Sequence, residues 1–267
     1  MKYNDFFSAF GIEYYAVADI NNITLTKSEL LDREDFIPKS VILFLIPYYT
    51  LTPKNISRYA ASYDYHLIIR RIGEGLIEAL QEDFPSAKMK IYGDHSPIDE
   101  RHAALTHSLG ILGDNGLLIN EKYGSYIFIG DLISDIPPEL LGVKEPTAIQ
   151  FCSHCGACKK ACPTGILRGE SDACLSAITQ KKGDLSSQEC DYIRQYHTAW
   201  GCDLCQSACP YNQNPKKTPI SFFYEDAIEE LTLDMLHSMT KEEFQKRAFA
   251  WRGKKVPERN LNILENQ

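Results

Sequence analysis

The chain has 267 residues, enough to bury a full core, and carries a formal net charge of −8. Its longest apolar run, residues 41–46, falls far short of the ~20 residues that a membrane-spanning helix needs. With no recognisable signal peptide either, the sequence predicts a cytoplasmic protein with no membrane partner. The charge is uneven: residues 1–150 hold 13 basic and 21 acidic side chains, whereas residues 151–267 hold 15 of each.

In chain order, residues 14–20 and 41–46 read as strands, the second buried on both faces because it lacks a polar alternate. Residues 61–80 read as a helix, with Ile69, Ile72, Leu76 and Leu80 recurring at three- and four-residue steps. Residues 89–92 form a short strand, and Pro97 opens a helix toward Leu109. Gly110 and Gly113 end that pattern. Residues 117–120 and 126–130 read as a hairpin around Tyr123-Gly124. Gly110-x2-Gly113-x2-Gly116 matches neither phosphate-binding glycine pattern, so a nicotinamide carrier is not indicated. Thr240 with Glu243 is a capping box for a helix over 244–249. The expected class is α+β in three parts: a mixed α/β domain over 1–146, a metal-cluster module over 147–214 and a helical segment over 215–267.

Nine cysteines are the chain's strongest signal. Cys152, Cys155, Cys158 and Cys162-Pro163 follow the run of bacterial ferredoxins, whose fourth cysteine serves the other of two [4Fe–4S] clusters. Cys202, Cys205 and Cys209-Pro210 form a second run. A cubane cluster needs four thiolates, and close spacing lets one loop present three of them. Crossed ligation gives one cluster Cys152, Cys155, Cys158 and Cys209. The other takes Cys162, Cys202, Cys205 and either Cys174 or Cys190. Two zinc sites are the competing reading, but zinc favours paired C-x2-C knuckles. Disulfides fit poorly with cysteines packed this closely in an intracellular chain. Two clusters held together move electrons singly.

Residues 241–267 hold 7 basic and 4 acidic side chains. Lys246, Arg247, Arg252, Lys254, Lys255 and Arg259 alternate with Phe249 and Trp251, a composition suited to a nucleic acid backbone or to a solvated helix face.

The chain resembles the epoxyqueuosine reductase family over residues 38–263. Tyr59-Ala60 with Asp64-Tyr65-His66, Asp94-x2-Pro97 with Glu100-Arg101, Gly110 to Asn115, Gly124-Ser125 through Gly130, Cys174-Leu175-Ser176 with Thr179, and Gly201-Cys202-Asp203-Leu204-Cys205-Gln206 carry the resemblance. It implies a corrinoid-binding, nitroreductase-like α/β domain followed by a ferredoxin-like two-cluster module and a short helical tail. The form resembled is a short one without the family's C-terminal helical repeats. The implied activity is reduction of epoxyqueuosine to queuosine in tRNA by cob(I)alamin, fed from two [4Fe–4S] clusters by a low-potential donor such as ferredoxin or flavodoxin. The implied partner is the tRNA anticodon stem-loop. The resemblance also makes Cys174 the eighth cluster ligand and Cys190 the spare.

Asp94 is the implied proton donor, since opening an epoxide puts negative charge on oxygen. Gly93-Asp94-His95-Ser96-Pro97 is equally a turn and helix cap. Asp64, Tyr65, His66, Asn115, Ser176 and Lys182 are the implied corrinoid contacts, His66 without a bond to cobalt. Asp114 stands where the family has lysine. The alternatives are a corrinoid-dependent reductase or reductive dehalogenase acting on a small molecule, and a ferredoxin-like electron carrier.

Overall fold

A computed structural model describes residues 2–265, which fall into two compact units. The first comprises 1–47 with 66–153, and the second comprises 48–65 with 154–267. The division therefore departs from the expected boundaries at 146 and 214. The C-terminal helices and the cluster run share one unit because they share one core, and residues 48–65 belong to it as well.

In the first unit, helix α1 (Lys2–Phe10) precedes strands β1 (Tyr15–Asp19) and β2 (Ser40–Pro47). Helix α2 (Tyr65–Gln81), strand β3 (Met89–Tyr92), helix α3 (Glu100–Thr106), the short strands β4 (Ile111–Leu112) and β5 (Leu118–Ile119), and strand β6 (Ile127–Ser134) follow. The main sheet runs β1-β2-β6-β3 and is antiparallel throughout. All eight residues of β2 are buried, which is why its sequence lacks polar alternation. Val41, Leu43 and Leu45 face a core with Ala103, Ala104 and Leu105 of α3. On the opposite face, the Phe7 ring of α1 lies 5.6 Å from Phe44. Helix α2 buries Ile69, Ile72, Leu76 and Leu80 as its periodicity requires, and Gly73 lets it approach β3 so closely that a Cβ would collide with Ile91.

The expected hairpin is absent. β5 pairs with β4, while β6 pairs with β2 and β3, so only an Asn120–Gly124 bridge joins the two segments. The alternation of residues 117–130 was correct for strands, but two different sheets recruit them. Pro97 does not open α3; Asp99 caps it by accepting the His102 amide at 2.9 Å.

The second unit carries α4 (Ala157–Ala161), α5 (Leu175–Gln180), α6 (Ser187–Gln195), α7 (Leu204–Ser207), α8 (Leu233–Ser238), α9 (Lys241–Gln245) and α10 (Lys255–Glu265). The Thr240–Glu243 capping box is present, but the helix it starts ends at Gln245, before Phe249. Its core gathers Ile56, Ile193, Trp200, Leu236, Phe249 and Leu261. Asn260 of α10 is fully buried and donates to the carbonyls of Thr179 (2.6 Å) and Ala199 (2.8 Å). One amide thus fastens the C-terminal helix to α5 and to the segment leading into Cys202. No helix among the described residues is long and apolar enough to cross a membrane.

Candidate functional site

The loop before α4 turns at Gly156 (φ 76°), which caps the helix that carries the buried Cys158. Cys162 ends that helix. Burial alone would raise the Cys162 thiol, but amide donors at Leu167, Gly165 and Thr164 and the Thr164 hydroxyl together hold it below its usual value. A sulfur surrounded by N–H donors is prepared for negative charge, the environment that stabilises a cluster thiolate.

Cys202 is the reverse case. Burial pushes its thiol up to about 12, and the charges of Cys174 and Cys205 add to the effect. These three sulfurs are therefore neighbours. Cys190 lies on α6, where its charge acts on the Arg259 guanidinium instead. A buried thiol that its surroundings keep protonated fits a metal cluster, which displaces the proton and neutralises the charge.

The Cys202 loop is fixed from several sides. Trp200, fully buried, donates its indole N–H to Tyr59 Oη at 2.8 Å, and the Gly201 amide donates to Thr179 Oγ1 at 2.9 Å. Asp203 accepts the Arg58 amide at 2.7 Å and its guanidinium at 3.1 Å, with the Ser57 hydroxyl on its other oxygen. Both partners of that ion pair are largely enclosed, so it holds the loop more firmly than a surface pair would. A cavity of about 170 Å³ beside Cys202 falls below the ~300–1,000 Å³ of small-molecule sites. Motif reading had singled out neither Arg58 nor Asn260, since each acts only through long-range contacts.

In the first unit, Asp94 is exposed and left-handed, with φ 64°. A non-glycine residue there needs an outside restraint. The restraint is Glu100, whose Oε1 accepts the Asp94 amide N–H at 2.9 Å. Since Asp99 caps α3, Asp94 is not the helix cap. Arg101 donates to the Gly116 carbonyl at 2.7 Å, tying α3 to the glycine loop that carries Asn115. Within that loop Asn115 Oδ1 accepts the Leu117 amide at 3.3 Å, while its buried Nδ2 has no partner among the described residues. An orphaned buried donor of this kind fits a ligand with amide or phosphate acceptors. Cys152 hangs from the same region, its amide donating to the Leu112 carbonyl at 3.0 Å.

The remaining residues expected to meet a corrinoid are distributed between the units. His66 is exposed near the start of α2 in the first. In the second, Asp64 and Tyr65 are half-buried, and the Asp64 amide donates to the Lys246 carbonyl at 2.7 Å. Ser176 accepts from Gln180 Nε2 at 3.0 Å, and Lys182 is exposed.

The basic tail is only partly a surface. Phe249 is core, Arg247 is buried against the Asp226 carbonyl, and Arg259 donates to the carbonyls of Lys181 and Gly183. Trp251 remains 59% exposed, with the Arg252 guanidinium 3.8 Å from its ring centroid. Lys246 and Lys255 face solvent.

Residues 151–212 match the 4Fe-4S double cluster binding domain, and residues 37–95 match the family described as epoxyqueuosine reductase QueG, DUF1730. The epoxyqueuosine reductase of Listeria monocytogenes is 34% identical over 215 residues, covering 75% of this chain and 54% of that protein. This chain thus spans about half the length of that relative. The Pseudomonas aeruginosa enzyme of the same name is 30% identical over 248 residues, covering 90% of this chain and 66% of that protein. The structure of epoxyqueuosine reductase from Streptococcus thermophilus superposes with a TM-score of 0.76 at 24% identity, covering 98% of this chain and 79% of that one. An epoxyqueuosine reductase solved with an epoxyqueuosine-modified tRNA-Tyr stem loop gives 0.77 at 21%, with coverage of 98% and 79%. These likenesses show the fold.

Proposed function

The chain belongs to the epoxyqueuosine reductase family, and on that premise we propose that it reduces epoxyqueuosine to queuosine in tRNA, in the cytoplasm. The observation that carries this reading is the pairing, in one chain, of a double-cluster donor set with an acid held exposed at a strained turn. The first unit is then the corrinoid-binding, nitroreductase-like half. Cys152, Cys155, Cys158 and Cys209 hold one cluster, and Cys162, Cys174, Cys202 and Cys205 the other. When bound, cobalamin supplies a strongly nucleophilic reduced metal and the clusters supply single electrons from a low-potential donor such as ferredoxin or flavodoxin.

The chain's own residues bind, orient and move protons. Removing the epoxide oxygen as water takes two electrons and two protons. Asp94 gives a proton to the departing oxygen. Asn115 Nδ2 would donate to a polar acceptor of the bound cofactor, which would satisfy its buried N–H. Asp64, Tyr65, His66, Ser176 and Lys182 would be the further polar contacts, His66 without a bond to the metal. Arg252, Lys254 and Lys255 meet the phosphates of the tRNA stem-loop, with Trp251 offering a face to a base.

Cofactor retention tests the reading against that of an electron carrier. Protein reconstituted with iron, sulfide and cobalamin should keep corrin absorbance through gel filtration. A brown protein that sheds all corrinoid would be a ferredoxin-like carrier.

A further inference from the structure

The departing oxygen takes two protons, yet Asp94 holds only one at a time. The structure places a second acid store under the same turn. Asp131 lies on β6, the inner strand between β2 and β3, opposite Leu43 of β2 and Tyr92 of β3, and its relative exposure is 0%. The Ser96 hydroxyl donates to its Oδ1 at 3.0 Å, while Oδ2 has no donor among the described residues. The Glu100 carboxyl lies within hydrogen-bonding reach of Asp131, and Glu100 Oε1 also accepts the Asp94 amide. Two carboxylates this close in an apolar setting cannot both ionise.

Among the described residues no cation relieves them. From β3, the Tyr92 hydroxyl is bonded to Glu34, and burial pushes its ionisation upward. Lys90 faces Glu34 at 3.7 Å and Lys88 faces Asp35 at 2.6 Å. Lys27 is 3.2 Å from His95, and Arg101 is committed to the Gly116 carbonyl. From β2 and α3, the facing groups are Leu43, Ala103 and Ala104. The remaining charge that reaches Glu100 is that of Asp94, which opposes ionisation. Burial is the largest influence and acts the same way.

We propose that Glu100 and Asp131 share one proton and that this pair recharges Asp94, supplying the second proton that the departing oxygen needs. The proposal rests on the epoxide-reducing reading of the site. Asp94 gives its proton to the oxygen and becomes a carboxylate. Glu100 then passes the shared proton to Asp94 while the pair takes up another from solvent, so the two carboxyls are never ionised together. Asp94 delivers the second proton as water leaves. Both electrons come from the low-potential donor by way of the clusters. Glu100 is a positioning residue as well, because the same carboxyl fixes the turn.

Infrared spectroscopy of the protein without cofactor or substrate reads the shared proton directly. At pH 7 the wild type should show the C=O stretch of a neutral carboxyl. Glu100→Gln should lose it, because the amide still accepts the Asp94 N–H but holds no acid proton. Asp131→Asn should make it vanish at a lower pH than in the wild type, since Glu100 then has only its burial, and no longer the opposing carboxyl, to hold the proton. A wild type with no such band, or a band that survives both substitutions, overturns the proposal whatever the activity. In the loaded enzyme, Glu100→Gln should slow queuosine formation by about 10²-fold, the low end for loss of a proton donor. Its alkaline limb should move to lower pH, with tRNA affinity unchanged. A rate and pH profile equal to wild type would refute the relay. A wild type with the band but no queuosine would overturn the substrate reading and leave the shared proton standing.

Discussion

The carboxyls beneath the Asp94 turn and the thiols around Cys202 present the same physical problem in two different units. In each place one ionisable side chain, Glu100 or Cys202, is withdrawn from water beside like charge and pushed toward its neutral form. Burial and the neighbouring Asp131 push Glu100 up to about 9; burial and two other cysteines push Cys202 up to about 12. The resolutions differ. A carboxyl pair becomes tolerable by keeping one proton, so it needs nothing from outside. Thiols at two-residue spacing, on a loop locked by Arg58, Asp203, Trp200 and Asn260, become tolerable by exchanging protons for metal. Cys162, held low by its N–H donors, and Cys202, pushed up by burial, belong to one thiol set, so the donor chemistry rather than the direction of the shift tells a metal site from a proton store.

The comparison breaks most sharply at the sulfurs. Cys174→Ala should remove one cluster and lower iron from about eight to about four per chain, whereas Cys190→Ala should leave both clusters in place. Iron analysis and EPR after anaerobic reconstitution read this. Damage from Cys190→Ala instead would move the eighth ligand onto α6.

Asp94→Asn should keep both clusters and the cofactor yet cut turnover about 10²–10⁴-fold. Single-turnover rates would show it. Near-normal turnover would reduce Asp94 to a residue of the turn.

The carboxyl pair carries a smaller effect with a definite sign. The ordinary glutamate value is ~4.3, and the folded value of Glu100 is raised. The folded state therefore keeps a proton that the unfolded chain loses. Stability from this pair is full below the unfolded value and is lost as pH climbs toward 9. Thermal unfolding between pH 5 and pH 9 should show a decline that Glu100→Gln flattens. Identical pH profiles for the two proteins would remove the strained pair.

The smallest expected effect is at the tail. Replacing Arg252, Lys254 and Lys255 with Ala should weaken stem-loop binding and lower the log–log salt slope by about 0.7–0.9 for each phosphate that is no longer neutralised. An unchanged slope would leave these cations as a solvated face.

How much was legible beforehand follows the same division. Cluster chemistry depends on residue type at short spacing, so the two cysteine runs announced a double-cluster module that the family match over 151–212 supports. β2 and α2 were legible for a similar reason, since their patterns are local. The 117–130 hairpin failed because strand pairing is decided by partners far along the chain: β6 binds β2 and β3 rather than its neighbour. Glu100 and Asp131 are far apart in sequence, and nothing local signals that a sheet brings them together. Phe249 and Arg247 misled in the opposite direction, since a basic-aromatic run looks like surface until a core claims half of it.

The most direct measurement of the central claim is the nucleoside composition of tRNA. Epoxyqueuosine-containing tRNA would be incubated with the anaerobically reconstituted protein, cobalamin and a low-potential reductant, then digested and analysed by mass spectrometry. The account predicts conversion of epoxyqueuosine to queuosine, with loss of one oxygen, dependent on cobalamin and on both clusters. Protein that holds both clusters and cobalamin yet leaves epoxyqueuosine unchanged would contradict it.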